Sequence, residues 1–171
     1  MVNGLINAIV CVDNKWSIGR DNDLLFHLPK DMNHFKIMTS NSIVVCGRKT
    51  LESFPNGRPL KNRSTICLCS KDNNREDCYC INDFEEALKL IKELSKTTDI
   101  WIIGGQSIYN LFIDYVDEAY VTKVDADGEG TAFFPNLDGR IDFKVVNTTA
   151  WQEDNGYNIS FLVYKKVKVR E

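Results

Sequence analysis

Residues 100–112 read Ile100-Trp101-Ile102-Ile103-Gly104-Gly105-Gln106-Ser107-Ile108-Tyr109-Asn110-Leu111-Phe112. The short apolar run Ile100 to Ile103 predicts a strand covered on both faces. Two glycines end it. Ile108, Leu111 and Phe112 then recur at helical spacing and predict a helix from Gln106 to Phe112. Strand, glycine turn and helix are the unit from which parallel sheets are built. Paired glycines let backbone N–H groups approach a pyrophosphate with no Cβ in the way. They also make ordinary strand-to-helix turns, and no G-x-G-x-x-G fingerprint stands in the chain.

The same alternation extends to both sides. Leu5 to Val12 reads as a buried strand, followed by a long polar loop from Asp13 to about Asn22. A helix is predicted from Pro29 and a buried strand over Ser42 to Cys46. Gly47-Arg48-Lys49-Thr50 ends that strand and opens a short helix. Pro55 to Pro59 is a turn, Thr65 to Cys69 a strand, Asp72 to Asn74 a loop and Cys78 to Ile81 a short strand. Asn82 or Asp83 caps an amphipathic helix whose apolar face carries Phe84, Ala87, Leu88, Ile91 and Leu94. Ala119 to Val124 is a strand and Gly128-Glu129-Gly130 a loop. Phe143 to Thr149 and Ile159 to Val167 form a closing antiparallel pair around the turn Asp154-Asn155-Gly156. The pattern predicts a doubly wound α/β fold: a mostly parallel open sheet of about eight strands with an antiparallel C-terminal strand, helices on both faces.

With 171 residues and 43% hydrophobic content, the chain fits one domain, residues 1–171, with a full core. A net charge of −3 argues against nucleic acid as a partner. Lys165, Lys166, Lys168 and Arg170 read as a solvated strand edge. No apolar run approaches the length of a membrane span, and no basic n-region precedes the early apolar stretch, so a cytoplasmic protein is expected. Cys67-x-Cys69 and Cys78-x-Cys80 have strand spacing rather than the wider spacing of zinc pairs, and His27 and His34 lie far off. Thiols in a reducing compartment, with no metal site, are the expectation.

Two further segments carry chemistry. In the helix from Pro29, Asp31 falls within the apolar arc of Leu28, Met32, Phe35 and Met38, whereas Lys30, Asn33 and His34 point away. A carboxylate on a buried face is costly unless paired, and burial raises its pKa unless donors offset it. Asp31 is also the third residue of the helix, where an acid complements the dipole. Both readings stand at this point. Arg48 and Lys49 place two cations at a helix start, an arrangement relieved by an anion such as a phosphate. An additional ribose phosphate would suit the pair and favour NADPH over NADH.

Taken together these segments resemble dihydrofolate reductase. The match runs from about Leu5 to the C-terminus through Ile18-Gly19, Leu28-Pro29-x-Asp31, Phe35-Lys36, Gly47-Arg48-Lys49-Thr50, Glu52-Ser53, Arg58-Pro59-Leu60-x-x-Arg63, Ile103-Gly104-Gly105, Tyr109 and Phe134-Pro135. The resemblance implies reduction of 7,8-dihydrofolate to tetrahydrofolate by hydride transfer from NADPH, in a monomer without obligate protein partners. It assigns Asp31 to the pterin N3 and 2-amino group and to favouring protonation at N5, with Thr122 supporting the amino group. Leu24 and Phe26 complete the catalytic set. Ile9 and Ile103 offer backbone carbonyls at the pocket wall. Met32, Phe35, Phe54 and Leu60 match the positions around the aminobenzoyl ring, Arg63 the clamp on the glutamate carboxylate, and Tyr109 a contact shared with the cofactor.

For NADPH the resemblance implies Cys11, Ile18 and Gly19 at the nicotinamide. Thr50 and Gly105, Gln106, Ser107 and Ile108 match the pyrophosphate cradle, and Gly47, Ile103 and Gly104 are further expected cofactor contacts. Arg48, Lys49 and Ser70 match the 2′-phosphate contacts, and Cys69 and Lys71 are further expected cofactor contacts. Residues Asp13 to Phe26 would be a mobile lid. Leu25-Phe26 stands where the family usually has Pro-Trp, and Lys61 replaces a frequent proline. Gly130-Thr131-Ala132 lacks the usual acid that hydrogen-bonds to the lid, which predicts a lid closed less of the time than in typical members. Two other readings remain: a reductase of the riboflavin pathway, with the same fold and cofactor, and a folate- or nucleotide-binding protein without turnover.

Overall fold

A computed structural model of the chain describes residues 4–21, 23–69 and 75–167. The elements, in chain order, are β1 (Ile6–Val12), β2 (Ser17–Arg20), β3 (Asp23–Leu24), α1 (Pro29–Thr39), β4 (Ile43–Gly47), α2 (Arg48–Glu52), β5 (Ser64–Leu68) and β6 (Tyr79–Ile81). They continue with α3 (Phe84–Leu94), β7 (Ile100–Gly104), α4 (Gln106–Phe112), β8 (Glu118–Val124), β9 (Ala132–Phe133), β10 (Phe143–Thr148), β11 (Gln152–Asp154) and β12 (Tyr157–Lys166). Apolar runs without alternation form the central strands because both of their faces are covered. The main sheet runs β10-β12-β8-β1-β7-β4-β5-β6, with β11 also paired to β12. The pairings from β8 through β6 are parallel. β12 lies antiparallel to β8, β10 and β11. This is the sheet that the alternation of elements predicts.

Strand geometry sends alternate side chains to opposite faces, and two separate cores follow. Ala8, Val10, Val12, Val45, Ile100 and Ile102 pack with Ala87, Leu88 and Ile91 of α3 and Ile108 and Phe112 of α4. Ile9, Val44, Cys46, Trp101 and Ile103 pack on the other face with Leu51 of α2 and with Phe35 and Met38 of α1. Helices therefore cover both faces. Asp83, rather than Asn82, caps α3, accepting from the Glu86 N–H at 3.4 Å.

Four expectations are corrected. The segment after Asp13 is not a plain loop: β2 pairs with β3 and with β9 in a second sheet. Its strands are short and polar, so no alternation announces them, and β9 comes from far along the chain. Second, the Asp154-Asn155-Gly156 turn does not join the long closing strands directly. Asn155 and Gly156 take positive φ, +49° and +87°, the geometry of a tight two-residue hairpin, and that hairpin joins β11 to β12. Third, Lys165 and Lys166 are not on a sheet edge, because β12 lies between β8 and β10. Fourth, His34 does not point fully away: it is half-buried against the Phe161 ring, 4.4 Å between centroids. Asp72 to Asn74, Lys168 and Arg170 lie outside the described residues.

Cys46 and Cys67 are buried and the remaining cysteines half-buried. Among the described residues no group of His, Cys, Asp and Glu could hold a metal ion, and no helix is long and apolar enough to cross a membrane.

The second sheet closes because Gly130 has no side chain. A Cβ there would lie 2.4 Å from the Ser17 Cβ. Overpacking of this kind costs about 1–3 kcal/mol. Gly130→Ala should therefore loosen the β2–β9 contact and speed exchange of the Thr131 and Phe134 amides by about tenfold. Hydrogen exchange followed by NMR reads this directly, and unchanged protection would show that the sheet does not depend on the glycine.

Candidate active site

The site begins at the start of α1. Leu28 occupies the cap position without a side-chain hydrogen bond, and Pro29 sets the first helical φ. The Asp31 carboxylate Oδ1 accepts from the Thr122 hydroxyl of β8 at 2.6 Å. Thr122 stands opposite Cys11 in the β1–β8 pairing, and the Cys11 thiol donates to the same carboxylate. Asp31 thus faces the sheet rather than serving only as a surface partner of the dipole. Burial drives its pKa upward. The hydrogen bonds from Thr122 and Cys11 oppose the rise, and the charge of Asp154 adds to it; the net shift is upward. The Cys11 thiol is itself pushed well up, first by burial and then by Asp31, so it stays a neutral donor.

Around this acid the predicted substrate residues divide. Ile9, Ile103, Phe35 and Phe54 share one apolar cluster beside it, and Leu60 is half-buried. Tyr109 is buried; burial raises its pKa far above the usual phenol value, and its neutral hydroxyl donates to the Ile9 carbonyl at 2.7 Å. Arg63 donates Nε to Thr39 Oγ1 at 2.9 Å and its two terminal nitrogens to the carbonyls of Lys61 and Lys36 at 2.6 and 3.2 Å. Its guanidinium also lies over the Phe35 ring. Of its five N–H donors these contacts occupy three.

Met32 is not on the covered arc, being 51% exposed. The inward face of α1 is carried by Leu28, Asp31, Phe35 and Met38, so the arc is narrower than periodicity suggests. Leu24, on β3, is 72% exposed and is not brought to Asp31. Phe26 packs edge-on against Tyr157, 4.8 Å between centroids, in the cluster that also holds Leu28 and Cys11.

The other half of the site lies at the ends of β4 and β7. The Gly104-Gly105 peptide is cis, and Gly104 has φ +116°, which only glycine adopts readily. A Cβ on Gly104 would press on the Tyr109 ring at 3.1 Å, and one on Gly105 would lie 3.5 Å from Thr50 Oγ1. Gly47 comes as close to Ile108, 3.2 Å from a built Cβ to its Cγ1. The turn, Thr50 and the start of α4 therefore converge, and no side chain caps α4. Gln106 and Ser107 are exposed, whereas Ile108 is a core side chain and offers the site only its backbone. The backbone donors, the Thr50 hydroxyl and the bare glycines fit a pyrophosphate.

Arg48 pairs with Glu52 at 3.1 Å, and Lys49 is exposed. Arg48, but not Lys49, lines a pocket together with Glu52, Cys67, Cys69, Arg75 and Cys80. Arg75 is a cation that the sequence does not single out, since no motif surrounds it. Asp77 and the Gly57 carbonyl hold it in place. Ser70 and Lys71 lie outside the described residues.

The lid segment contains a second residue without a sequence signal of function. The buried Asp13 carboxylate accepts from the N–H groups of Lys15, Ser17 and Gly128 at 2.9, 2.8 and 2.9 Å. A turn-forming acid before Asn-Lys is the one local hint. Thr131, at the place of the family's acid, accepts from the Asp21 N–H at 3.3 Å, and Gln106 Oε1 accepts from the Phe133 N–H at 2.6 Å. Ile18 is half-buried in β2, and a Cβ on Gly19 would meet the Asp23 carbonyl at 2.8 Å.

A half-buried acid on one side of the sheet's carboxyl-end crevice and a glycine-lined turn on the other define an open-sheet α/β enzyme of the nucleotide-cofactor type. Residues 5–166 match the family model described as dihydrofolate reductase, and the chain belongs to that family. It is 35% identical over 165 residues to the dihydrofolate reductase of Bacillus subtilis, covering 95% of both chains. It is 35% identical over 168 residues to that of Staphylococcus haemolyticus, covering 95% of this chain and 96% of the other. The structure of Enterococcus faecalis dihydrofolate reductase complexed with NADP(H) and RAB-propyl superposes with a TM-score of 0.85 at 29% identity, covering 97% and 98% of the two chains.

The upward shift of Asp31 has a consequence for stability. Its folded pKa lies above the ordinary value of 3.8. Its contribution is therefore most favourable below that value and is lost as pH rises through the folded pKa. Asp31→Asn should raise the Tm at neutral pH by a few degrees, with the gain shrinking toward strongly acid pH. Thermal unfolding across pH tests this, and a gain constant with pH would show that Asp31 ionises as freely folded as unfolded.

Proposed function

We propose that this chain catalyses the NADPH-dependent reduction of 7,8-dihydrofolate to 5,6,7,8-tetrahydrofolate, and that Asp31 is its acid. The observation that carries the reading is the Asp31–Thr122 pair at 2.6 Å, a half-buried acid and a buried hydroxyl aimed at one place from a helix and a strand. The Asp31 carboxylate can accept two parallel hydrogen bonds from the N3 and 2-amino groups of a pterin. Thr122 orients it and supports the amino group. A carboxyl with a raised pKa is suited to favour protonation at N5 near neutral pH. Ile9 and Ile103 line the ring's edge, Phe26 covers it from the lid, and Tyr109 fixes the Ile9 carbonyl. Met32, Phe35, Phe54 and Leu60 hold the aminobenzoyl group, and the remaining Arg63 donors meet the glutamate carboxylate.

When bound, NADPH supplies the hydride. Thr50, Gly47, Gly104, Gly105 and the backbone of Gln106, Ser107 and Ile108 would hold its pyrophosphate. Cys11, Ile18, Gly19, Ile103 and Tyr109 would hold the nicotinamide. Arg48 and Lys49 would hold the 2′-phosphate beside Cys69, and the family resemblance adds Ser70 and Lys71, which lie outside the described residues. The lid, braced by Asp13 and Thr131, excludes water from the nicotinamide. We assign the chain one catalytic domain and a monomeric, cytoplasmic state, with no nucleic-acid or membrane partner.

Loss of reduced-nicotinamide absorbance on adding dihydrofolate tests the reading. Asp31→Asn should lower turnover near neutral pH by about a hundredfold, with partial recovery at acid pH, where substrate arrives protonated. Arg63→Leu should raise KM for dihydrofolate about tenfold with little change in kcat. Tight folate binding without turnover by the natural chain, or turnover of a ribosylaminopyrimidine phosphate instead, would overturn the assignment.

A further inference from the structure

One buried carboxylate beside the site has no part in the chemistry above. Asp154 is 3% exposed, at the end of β11. Buried carboxylates require donors, and its Oδ2 accepts from the backbone N–H groups of Lys30 at 3.0 Å and Asp31 at 3.2 Å. α1 has no side-chain cap of its own, so its first-turn donors are met by a residue 123 positions further along the chain. Two more bonds fix the contact: Lys30 Nζ donates to the Glu153 carbonyl at 2.6 Å, and Asn155 Nδ2 to the His27 carbonyl at 2.8 Å.

We propose that Asp154 is a positioning residue for the reaction: by capping α1 from the closing hairpin, it holds the Asp31 carboxylate against Thr122. The proposal deepens the reading of Asp31 as the pterin-binding acid and rests on it. Asp31 is tied at both ends, its main-chain N–H to Asp154 and its side chain to Thr122. A small displacement of the helix start would break the short bond to Thr122, and misplacement on the order of 1 Å is enough to impair a catalytic group. The cap is also charged. The groups facing Asp31 are the Cys11 thiol from β1, the Thr122 hydroxyl from β8, the Tyr109 hydroxyl from α4 and Asp154, with Asp13 of the lid acting on Cys11. Facing Asp154 are the main-chain N–H groups of Lys30 and Asp31, with the Asp31 carboxyl and the Cys11 thiol within reach of its charge. Cys11 and Tyr109 are neutral, so the charge that disfavours ionised Asp31 is that of Asp154.

The test compares Asp154→Asn, which keeps an acceptor oxygen and removes the charge, with Asp154→Ala, which removes both. In the protein alone, 13C NMR of the Asp31 carboxyl should show its titration midpoint moving to lower pH in Asp154→Asn. In steady-state assays Asp154→Ala should raise KM for dihydrofolate about fivefold, the effect of a lost cap, and Asp154→Asn should recover most of that loss. An Asp31 midpoint unmoved in Asp154→Asn would overturn the proposal. So would Asp154→Ala that lowers Tm but leaves KM and the pH profile unchanged. If Asp154→Ala does not fold, the Asp154→Asn titration decides. The titration needs no substrate, so it stands apart from any failure of the natural chain to reduce dihydrofolate.

Discussion

The hydrogen bond from Thr122 to Asp31 joins a helix and a strand 91 positions apart at 2.6 Å. A carboxylate beside an apolar cluster is tolerable only where donors reach it. Two are supplied, the Thr122 hydroxyl and the Cys11 thiol, and both come from neighbouring parallel strands. The pairing of β1 with β8 is thus a condition for the acid as well as for the sheet. α1 must lie across this part of the sheet for the bond to form, and Leu28, Phe35 and Met38 hold it there through the apolar contacts of that face. Geometry and proton affinity have one source: the burial that raises the pKa of Asp31 is the burial that lets two neutral donors orient it.

The opposite half of the crevice obeys a different constraint, the exclusion of side chains. Backbone N–H groups can meet a phosphate only where no Cβ intervenes, and Gly104, Gly105 and Gly47 keep that space open at the ends of adjoining strands. Tyr109 connects the halves. Its ring fills the space left by Gly104, and its hydroxyl holds the Ile9 carbonyl on the strand next to that of Thr122. The lid and the second sheet are held by acceptors as well as by apolar packing: Asp13, Thr131 and Gln106 each take N–H groups of that sheet or its flanks. The loss of the family's usual acid at Thr131 is thus met by a hydroxyl at the same place.

Legibility in the sequence followed the range of the physical signal. Strands buried on both faces appear as apolar runs, and α3 appears as a helical stripe behind a capping acid, because each pattern is complete within about a dozen residues. Asp31, the glycine turn and the Arg48-Lys49 pair were visible for the same reason, since each violates a local preference. β2, β3 and β9 were not visible: their pairing partners are distant, and their residues are polar. Met32 looked buried because periodicity gives a direction on the helix and not the width of the face that is covered.

By itself the sequence determined the order of elements, the mostly parallel sheet, the inward direction of Asp31 and the glycine turn, all of which depend on backbone geometry and nearest neighbours. Tertiary structure alone decided which donors reach Asp31, that Asp154 caps α1 from the far end of the chain, that Arg75 joins Arg48 at one pocket, and that Leu24 faces outward. These depend on pairs of residues far apart in sequence, whose meeting is set by sheet register and hairpin geometry. Between such pairs no periodic pattern runs, so only the packed fold can bring them together.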